Sequence, residues 1–184
     1  MKTAYLGLGS NVGDRRRHLQ AAVEGLGQGA EVVVQAVSPV YVTEPHTLEP
    51  EEEQPAFLNA VVEASVGWAP ERLLGHAQAL EEAEGRTRET ARWAPRPLDV
   101  DLLAVGGETR RTERLTLPHP RLAERRFVLR PWADLAPDFV VPPPFDAPVR
   151  TLLERCPDTT SVRRLSWTLT PDASGVPGDG EGDR

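Results

Sequence analysis

The order of elements along the sequence predicts an α+β fold with an antiparallel sheet. Up to residue 105 the apolar patterns indicate strand, helix, strand, strand, helix and strand. This is the βαββαβ order of the split ferredoxin-like unit. The second strand segment is rich in valine, and apolar residues recur every third or fourth position in the helical segments. The rest of the chain is predicted to be a C-terminal extension.

Turn and cap residues mark the ends of the predicted elements. Asp14 precedes the first helix as an N-cap that can accept from its unpaired backbone N–H groups. Pro70 suits the first turn of the second helix, and Gly85 suits its end. Pro39 favours an edge or a bulge in the second strand. The predicted strands are residues 3–10, 31–42, 56–66 and 98–105, and the helices are residues 15–26 and 70–84.

The C-terminal extension has shorter and less regular patterns. Gly106 and Gly107 predict a tight hairpin, after which residues 109–117 would return as a strand. Short helices and a last strand follow, at about residues 128–135, 149–156 and 161–169. We expect residues 1–170 to form a single domain. Residues 171–184 have the Gly-rich and Asp-rich composition of a disordered tail.

The bulk composition narrows the class of protein. The chain has 184 residues, a net charge of −7, 39% hydrophobic residues and 27% charged residues, which fits a soluble globular protein. The acidic balance argues against a nucleic-acid-binding surface, and no apolar run is long enough to span a membrane. The single Cys156 cannot form an internal disulfide, so a reducing cytoplasm is the expected compartment.

Two carboxylates stand at alternate positions of the fourth predicted strand. Asp99 and Asp101 project to the same face, with roots about 6.6–6.8 Å apart, while Leu98, Val100 and Leu102 point into a core. A carboxylate pair beside guanidinium groups suits a Mg²⁺–polyphosphate site. The same pattern is also compatible with the solvent-facing side of a half-buried sheet.

The charged residues are unevenly distributed. Residues 86–130 contain eleven arginines and six acidic residues, which indicates a local anion site in an otherwise acidic protein. Residues 44–53 contain five glutamates and no Lys or Arg. That segment has the composition of a functional loop, although a solvated insertion would look the same. In the predicted topology both helices cover one face of the sheet and leave the other open to a ligand.

Four blocks of the sequence resemble a known family. They are residues 8–15, residues 41–45 with 54–60, residues 85–88 with 92–101, and residues 115–120 with 125–129. In this order and spacing they resemble 6-hydroxymethyl-7,8-dihydropterin pyrophosphokinase, an enzyme of folate biosynthesis. The blocks span about residues 3–140, and a chance match to all of them is much rarer than a match to any one.

The resemblance implies a reaction and a set of residues. ATP would be the co-substrate, and its pyrophosphate would pass to the hydroxymethyl oxygen of the pterin, leaving AMP. Asp99 and Asp101 would hold two Mg²⁺ ions. The pterin and ATP would be the only partners of a monomer. The resemblance assigns catalysis to Arg86, Arg96, Asp99 and Asp101, the nucleotide to Arg88, Trp93, Leu102, Arg114, Thr116, His119 and Arg125, and the pterin to Asn11, Thr43, Glu44, Pro45, Phe57, Asn59, Trp93 and Phe127.

Simpler interpretations stay open for several of these residues. Phe57 and Phe127 could be ordinary core residues, and His119 could only cap a helical turn. Two other functions are also compatible with the pattern: a different Mg²⁺-dependent transferase that uses a nucleotide donor, and a ligand-sensing module without catalysis. Arg110, Arg111, Arg121 and Arg126 are interpreted as surface charge.

Overall fold

A six-stranded antiparallel sheet forms the centre of the computed structural model, which describes residues 1–43, 55–86 and 95–171. The strands of this sheet are β1 (Lys2–Ser10), β2 (Val32–Val37), β3 (Tyr41–Thr43), β4 (Phe57–Val66), β5 (Asp99–Val105) and β10 (Val162–Arg164). Two small sheets are formed by β6 (Arg110–Arg111) with β7 (Thr116–Leu117) and by β8 (Val140–Val141) with β9 (Ala147–Pro148). The helices are α1 (Arg15–Gly27), α2 (Pro70–Ala83), α3 (Arg126–Leu135) and α4 (Val149–Glu154), with a 3₁₀ turn at Leu122–Glu124.

The predicted α+β core is confirmed. The sheet order is β10-β3-β4-β1-β5, and β2 pairs with β4 beside β3. The strands that carry Asn59, Ser10 and the two aspartates are therefore neighbours, as the split unit requires. The helix ends also match: the Asp14 side chain accepts from the backbone N–H of Arg17 at 3.0 Å, and Gly85 has a φ of +93° just after α2.

The second predicted strand is two strands in the structure. The chain leaves the sheet ladder at Ser38 and Pro39, because proline has no backbone N–H to donate. The Ser38 side chain restores part of the ladder: its hydroxyl accepts from the backbone N–H of Val61 at 2.9 Å. Both halves pair with β4, so the break bends the strand without ending its contact with the sheet.

The prediction of a returning strand at residues 109–117 is wrong. After the Gly106 turn the chain folds into its own two-stranded sheet of β6 and β7. Bonds between Thr112 and Leu115 close this small hairpin, and its strands satisfy each other instead of β5. Contact with the outer edge of β5 comes from the next segment, where the backbone N–H of His119 donates to the carbonyl of Leu103 at 2.9 Å.

The sheet has a hydrophobic core on each face. Helices α1 and α2 cover the face that carries Ala4, Leu6 and Leu8 of β1. The opposite face was expected to be open, but α3 and α4 cover part of it. Its residues Tyr5, Val61 and Leu103 are apolar, and they pack with the fully buried Trp132 of α3. The part of this face that carries Gly7, Gly9, Asn59 and the two aspartates forms the cavity described below.

Replacing Trp132 tests the second core. Trp132 is fully buried, and its ring lies 5.1 Å from that of Tyr5 and 5.8 Å from that of Phe139, centroid to centroid. Trp132→Ala is expected to lower the free energy of unfolding by ~3–5 kcal/mol, measured by urea denaturation. Val33→Ala is the control, because half of the Val33 side chain is exposed. A loss below ~1 kcal/mol for Trp132→Ala would contradict the second core.

Candidate active site

A cavity of about 530 Å³ opens on the α3 side of the sheet, where β1, β4 and β5 meet the start of α3. Eight of the residues assigned from the sequence line it, and they come from segments far apart in the chain. These eight are Thr43, Phe57, Asn59, Arg96, Asp99, Asp101, Arg125 and Phe127. The structure therefore brings together four of the predicted pterin residues and the predicted catalytic carboxylates.

Two glycines of β1 form the floor of the cavity. Gly7 is paired with Asp101 and Gly9 with Asp99, so each carboxylate stands beside a residue without a side chain. A Cβ atom at Gly9 would lie 3.5 Å from Asn59 Oδ1 and 3.8 Å from Asp99 Cβ. The sequence interpretation missed this role. The signal was present, because glycines two positions apart in a strand share a face and indicate a close approach by other groups.

Asp99 is held between two arginines. Arg86 Nη1 lies 2.6 Å from Asp99 Oδ1, and Arg96 Nη2 lies 3.1 Å from Asp99 Oδ2. Arg96 lines the cavity, whereas Arg86 reaches Asp99 from the end of α2. The predicted catalytic arginines therefore lie where they can exchange a carboxylate for a phosphate oxygen, since both groups accept from the same guanidinium donors.

Asp101 carries the strongest sign of electrostatic conflict in the cavity. Burial and the neighbouring charge of Asp99 raise its pKa from 3.8 to about 6, although Arg125, Arg96 and Arg86 act in the opposite direction. Arg125 Nη1 is its ion-pair partner, at 3.2 Å from Oδ2. A half-buried carboxylate beside a second carboxylate favours a cation in the cavity.

Glu81 of α2 is a residue of this network that the sequence interpretation missed. Its Oε1 accepts from Arg86 Nη1 at 2.5 Å and from the backbone N–H of Val100 at 2.8 Å. It thus ties Arg86 to the strand between the two aspartates. Burial raises the pKa of Glu81 to about 7. Its spacing from Leu73 and Ala77 places it on the buried stripe of the helix, and this was the available signal.

Four of the predicted pterin residues, Thr43, Phe57, Asn59 and Phe127, line the same cavity. Asn59 is 5% exposed, and its Nδ2 donates to Thr43 Oγ1 at 2.9 Å. Phe57 and Phe127 both line the cavity, so neither is only a core residue. A buried amide in a cavity that two aromatic side chains also line suits a flat ring with a polar edge, because the ring can stack while its edge forms hydrogen bonds.

Asn11 lies behind the cavity wall and not in it. It is fully buried, and its Oδ1 accepts from the backbone N–H of Arg96 at 2.8 Å. Its own backbone N–H donates to the carbonyl of Arg96 at 3.2 Å. Asn11 therefore fixes the backbone that presents Arg96, and its predicted pterin contact stays a prediction.

The predicted nucleotide residues are less well gathered. Arg125 lines the cavity, and His119 is near it, with a pKa lowered to about 4 by burial and by the charges of Arg125 and Arg121. Arg114 and Thr116 are exposed in and before β7, outside the cavity lining. The Leu102 side chain is in the core on the α1 and α2 face, so only its backbone could meet a nucleotide. The predictions for Glu44, Pro45, Arg88 and Trp93 lie outside the described residues.

Three charged residues complete the cavity and were not assigned from the sequence. They are Arg121, Glu124 and Asp158. The interpretation of Arg121 as surface charge alone is therefore incomplete, since it lines the cavity although its side chain is 44% exposed. No local pattern relates residue 158 to Asp99, and only the folded chain brings them to one cavity.

The paired aspartates fit Mg²⁺ as far as the donor set allows. In the described part of the chain no group of three or more His, Cys, Asp or Glu side chains is arranged to hold a metal ion. Mg²⁺ commonly takes only one or two protein carboxylates and completes its coordination with phosphate oxygens and water. Asp99 and Asp101 are oxygen donors of this kind, and they face a cavity with room for a ligand.

An antiparallel α+β sheet whose paired carboxylates form ion pairs with arginines is typical of enzymes that bind and transfer phosphate groups. Comparison with known sequences narrows the class. Residues 5–137 match the sequence model of the 7,8-dihydro-6-hydroxymethylpterin-pyrophosphokinase (HPPK) family. The chain belongs to this family, as the four sequence blocks predicted.

Curated relatives carry the matching name 2-amino-4-hydroxy-6-hydroxymethyldihydropteridine pyrophosphokinase. The Bacillus subtilis protein is 46% identical over 132 residues, which are 72% of this chain and 77% of that protein. The Pseudomonas aeruginosa protein is 40% identical over 157 residues, which are 85% of this chain and 93% of that protein. The second alignment therefore extends well beyond the residues matched by the family model.

Solved structures support the fold. A wild-type Plasmodium falciparum HPPK-DHPS structure gives a TM-score of 0.64 at 14% identity and covers 84% of this chain. An HPPK-DHPS structure in complex with substrates gives a TM-score of 0.63 at 12% identity. This chain spans 44% and 43% of those two longer chains. Among the described residues, none of the helices has the length and apolar character needed to cross a membrane.

The raised pKa of Glu81 predicts a pH-dependent stability. Since folding raises this pKa from 4.5 to about 7, the linked stability is fully present below pH 4.5 and is lost as the pH rises through about 7. Glu81→Gln keeps an acceptor for Val100 but cannot titrate. The wild type is therefore expected to lose up to ~3 kcal/mol of unfolding free energy relative to this variant between pH 4.5 and 8.

Urea denaturation at a series of pH values measures this difference. Glu71→Gln is the control, because it removes a half-exposed carboxylate from the same helix. A difference between wild type and Glu81→Gln that does not change with pH would contradict the assigned environment of Glu81.

Proposed function

We propose that this protein transfers the pyrophosphate of ATP to the hydroxymethyl group of 6-hydroxymethyl-7,8-dihydropterin, as a step of folate biosynthesis. Membership of the HPPK family and the names of its relatives support this function. The structural observation that carries it is the pair Asp99 and Asp101, which faces the cavity and is neutralised by arginines. A polyphosphate can take over those arginines, and the paired carboxylates can take a cation.

Two groups of cavity residues would divide the work of binding. Phe57 and Phe127 would stack on the pterin ring, and Asn59 would hydrogen-bond to its polar edge. Arg96 and Arg125 would bind phosphate oxygens. The carboxylate pair lies in the same cavity, so the hydroxymethyl group and the phosphates would meet beside it. Such placement is the main source of rate in phosphoryl-type transfer.

The reaction exchanges one P–O bond for another. The hydroxymethyl oxygen releases its proton to solvent and forms a bond to the β-phosphorus, while the bond from that phosphorus to the α,β-bridging oxygen breaks and AMP leaves. The arginines would stabilise the charge on the transferred group. Asp99 and Asp101 would hold Mg²⁺, two ions by the family resemblance, which would neutralise phosphate charge and polarise the reacting oxygens.

The arginine contacts suggest how the cavity could be kept ready before substrates bind. Arg86 bonds to both Glu81 and Asp99, so loss of the Asp99 contact would leave it attached to α2. Arg96 is held through its backbone by Asn11. Both guanidinium groups could therefore turn from carboxylate to phosphate without a large movement of the backbone, which lowers the cost of binding.

The remaining assignments are proposals that rest on the family resemblance. These cover nucleotide contacts of Arg88, Trp93, Leu102, Arg114, Thr116 and His119, and pterin contacts of Asn11, Glu44, Pro45 and Trp93. We also propose that residues 1–170 act as one domain and that the protein works as a cytoplasmic monomer.

Removing either carboxylate of the pair tests the proposed function. Asp99→Asn and Asp101→Asn are each expected to lower kcat by ~100-fold or more, because the amide cannot balance the cation charge. The measurement is release of AMP from ATP in the presence of Mg²⁺ and the hydroxymethyl pterin, with circular dichroism to confirm folding.

Asp138→Asn is the matched control for this test. Asp138 is a carboxylate with 75% of its side chain exposed, it is paired with Arg150, and it is outside the cavity lining. Its variant should keep wild-type activity. Release of ADP instead of AMP by the wild type would overturn the proposed reaction. Full activity of Asp99→Asn and Asp101→Asn would overturn the role of the pair.

A further inference from the structure

The C-terminal extension contributes one wall of the cavity. Pro157 and Asp158 line it, although they lie beyond residue 137, where the match to the family model ends. The segment continues into β10, which adds a strand to the sheet beside β3. Residues 157–164 therefore connect the lining of the cavity to the edge of the sheet.

Asp158 holds the start of α3. Its Oδ2 accepts from the backbone N–H of Arg126 at 3.0 Å, and its Oδ1 accepts from the backbone N–H of Thr160 at 2.9 Å. Arg125, at the N-cap position of α3, gives no side-chain hydrogen bond to the helix end. A carboxylate from a distant part of the chain thus supplies the acceptor that a local Ser, Thr, Asp or Asn usually provides.

The first turn of α3 carries residues that face the cavity. Phe127 and Val128 line it, and Arg125 reaches Asp101 with Nη1 at 3.2 Å. Because Arg125 has that ion pair, its place does not depend on Asp158 alone. Phe127 is the residue directly after Arg126, whose backbone N–H donates to Asp158. Movement of this turn would therefore displace Phe127 more than Arg125.

The other end of the same segment is fixed beside the opposite wall. In β10, Val162 pairs with Thr43, whose hydroxyl accepts from Asn59. The backbone N–H of Leu165 donates to the carbonyl of Val40 at 2.8 Å. One short segment thus joins the turn that carries Phe127 to the strand that carries Thr43, and both of these residues line the cavity.

We propose that Asp158 is a positioning residue that fixes the place of Phe127 in the cavity through its bond to the start of α3. This inference rests on the proposed function, since it names the pterin as the ligand whose binding depends on the wall. Asp158 acts through Phe127, and it is not assigned a part in the chemical step.

Asp158→Ala and Asp158→Asn test this role. The loss of a helix cap is typically worth a factor of about ten in an equilibrium constant, so Asp158→Ala is expected to raise the KM for the pterin about tenfold. The KM for ATP and kcat should change by less than about threefold. Asp158→Asn keeps one acceptor oxygen and should fall between the wild type and the Ala variant. Equilibrium titration with the pterin alone should show the same order of affinities.

Asp14→Ala is the matched control. Asp14 caps α1 through the backbone N–H of Arg17 and is outside the cavity lining, so its variant should lose stability without a change in the KM for the pterin. Equal losses of stability in Asp14→Ala and Asp158→Ala with an unchanged pterin KM in both would overturn the positioning role. If Asp158→Ala does not fold, an unchanged pterin KM in Asp158→Asn would overturn it.

The titration separates this inference from the proposed function. A wild type that binds the pterin but releases no AMP contradicts the proposed reaction, while the ratio of pterin affinities still decides the role of Asp158. Pterin affinity in Asp158→Ala that equals the wild-type value contradicts the role of Asp158, whatever the wild type catalyses.

Discussion

The repulsion between Asp99 and Asp101 is the constraint on which the rest of the site depends. Both carboxylates lie on one face of β5, and the pKa of Asp101 rises to about 6 through burial and the charge of Asp99. The fold accommodates the pair with Arg86, Arg96 and Arg125, each within ion-pair distance of one aspartate. The same arginines are the donors that a polyphosphate needs. Without ligands, the aspartates hold these arginines in place; on binding, phosphate would replace the aspartates as partner of the arginines, and the cation would replace the arginines as partner of the aspartates.

The core beneath β5 keeps this arrangement in register. Val100 and Leu102 alternate with the aspartates and are buried against α1 and α2, so a slip of one residue would exchange core and cavity side chains. Glu81 adds a polar link between α2 and the backbone of Val100. Gly9 in β1 has no side chain and leaves space beside Asp99. The wall formed by α3 depends on Asp158, which binds the start of that helix. Asp158 lies outside the residues that the family model matches.

The sequence predicts those parts of the molecule whose contacts follow from a local residue pattern or from a family motif. Alternation predicted the orientation of Asp99 and Asp101, and the linked sequence blocks predicted that Phe57, Asn59 and Phe127 meet them at one site. The covered second face was missed because the cover, α3, follows an irregular stretch whose pairing cannot be derived from periodicity. Asp158 was missed for a related reason: its function depends on a contact across 32 positions with a backbone group, and side-chain patterns do not report such contacts.

We expect Asp99 and Asp101 to anchor the cation that accompanies the nucleotide. A crystal structure with the hydroxymethyl pterin, a non-hydrolysable ATP analogue and Mn²⁺ in place of Mg²⁺ would test it directly, because Mn²⁺ can be located by anomalous scattering. The account predicts anomalous peaks within about 2.3 Å of carboxylate oxygens of both aspartates, with the ion pairs from Arg86 and Arg96 to Asp99 broken in favour of phosphate oxygens. Peaks elsewhere in the cavity, with those ion pairs intact, would contradict it.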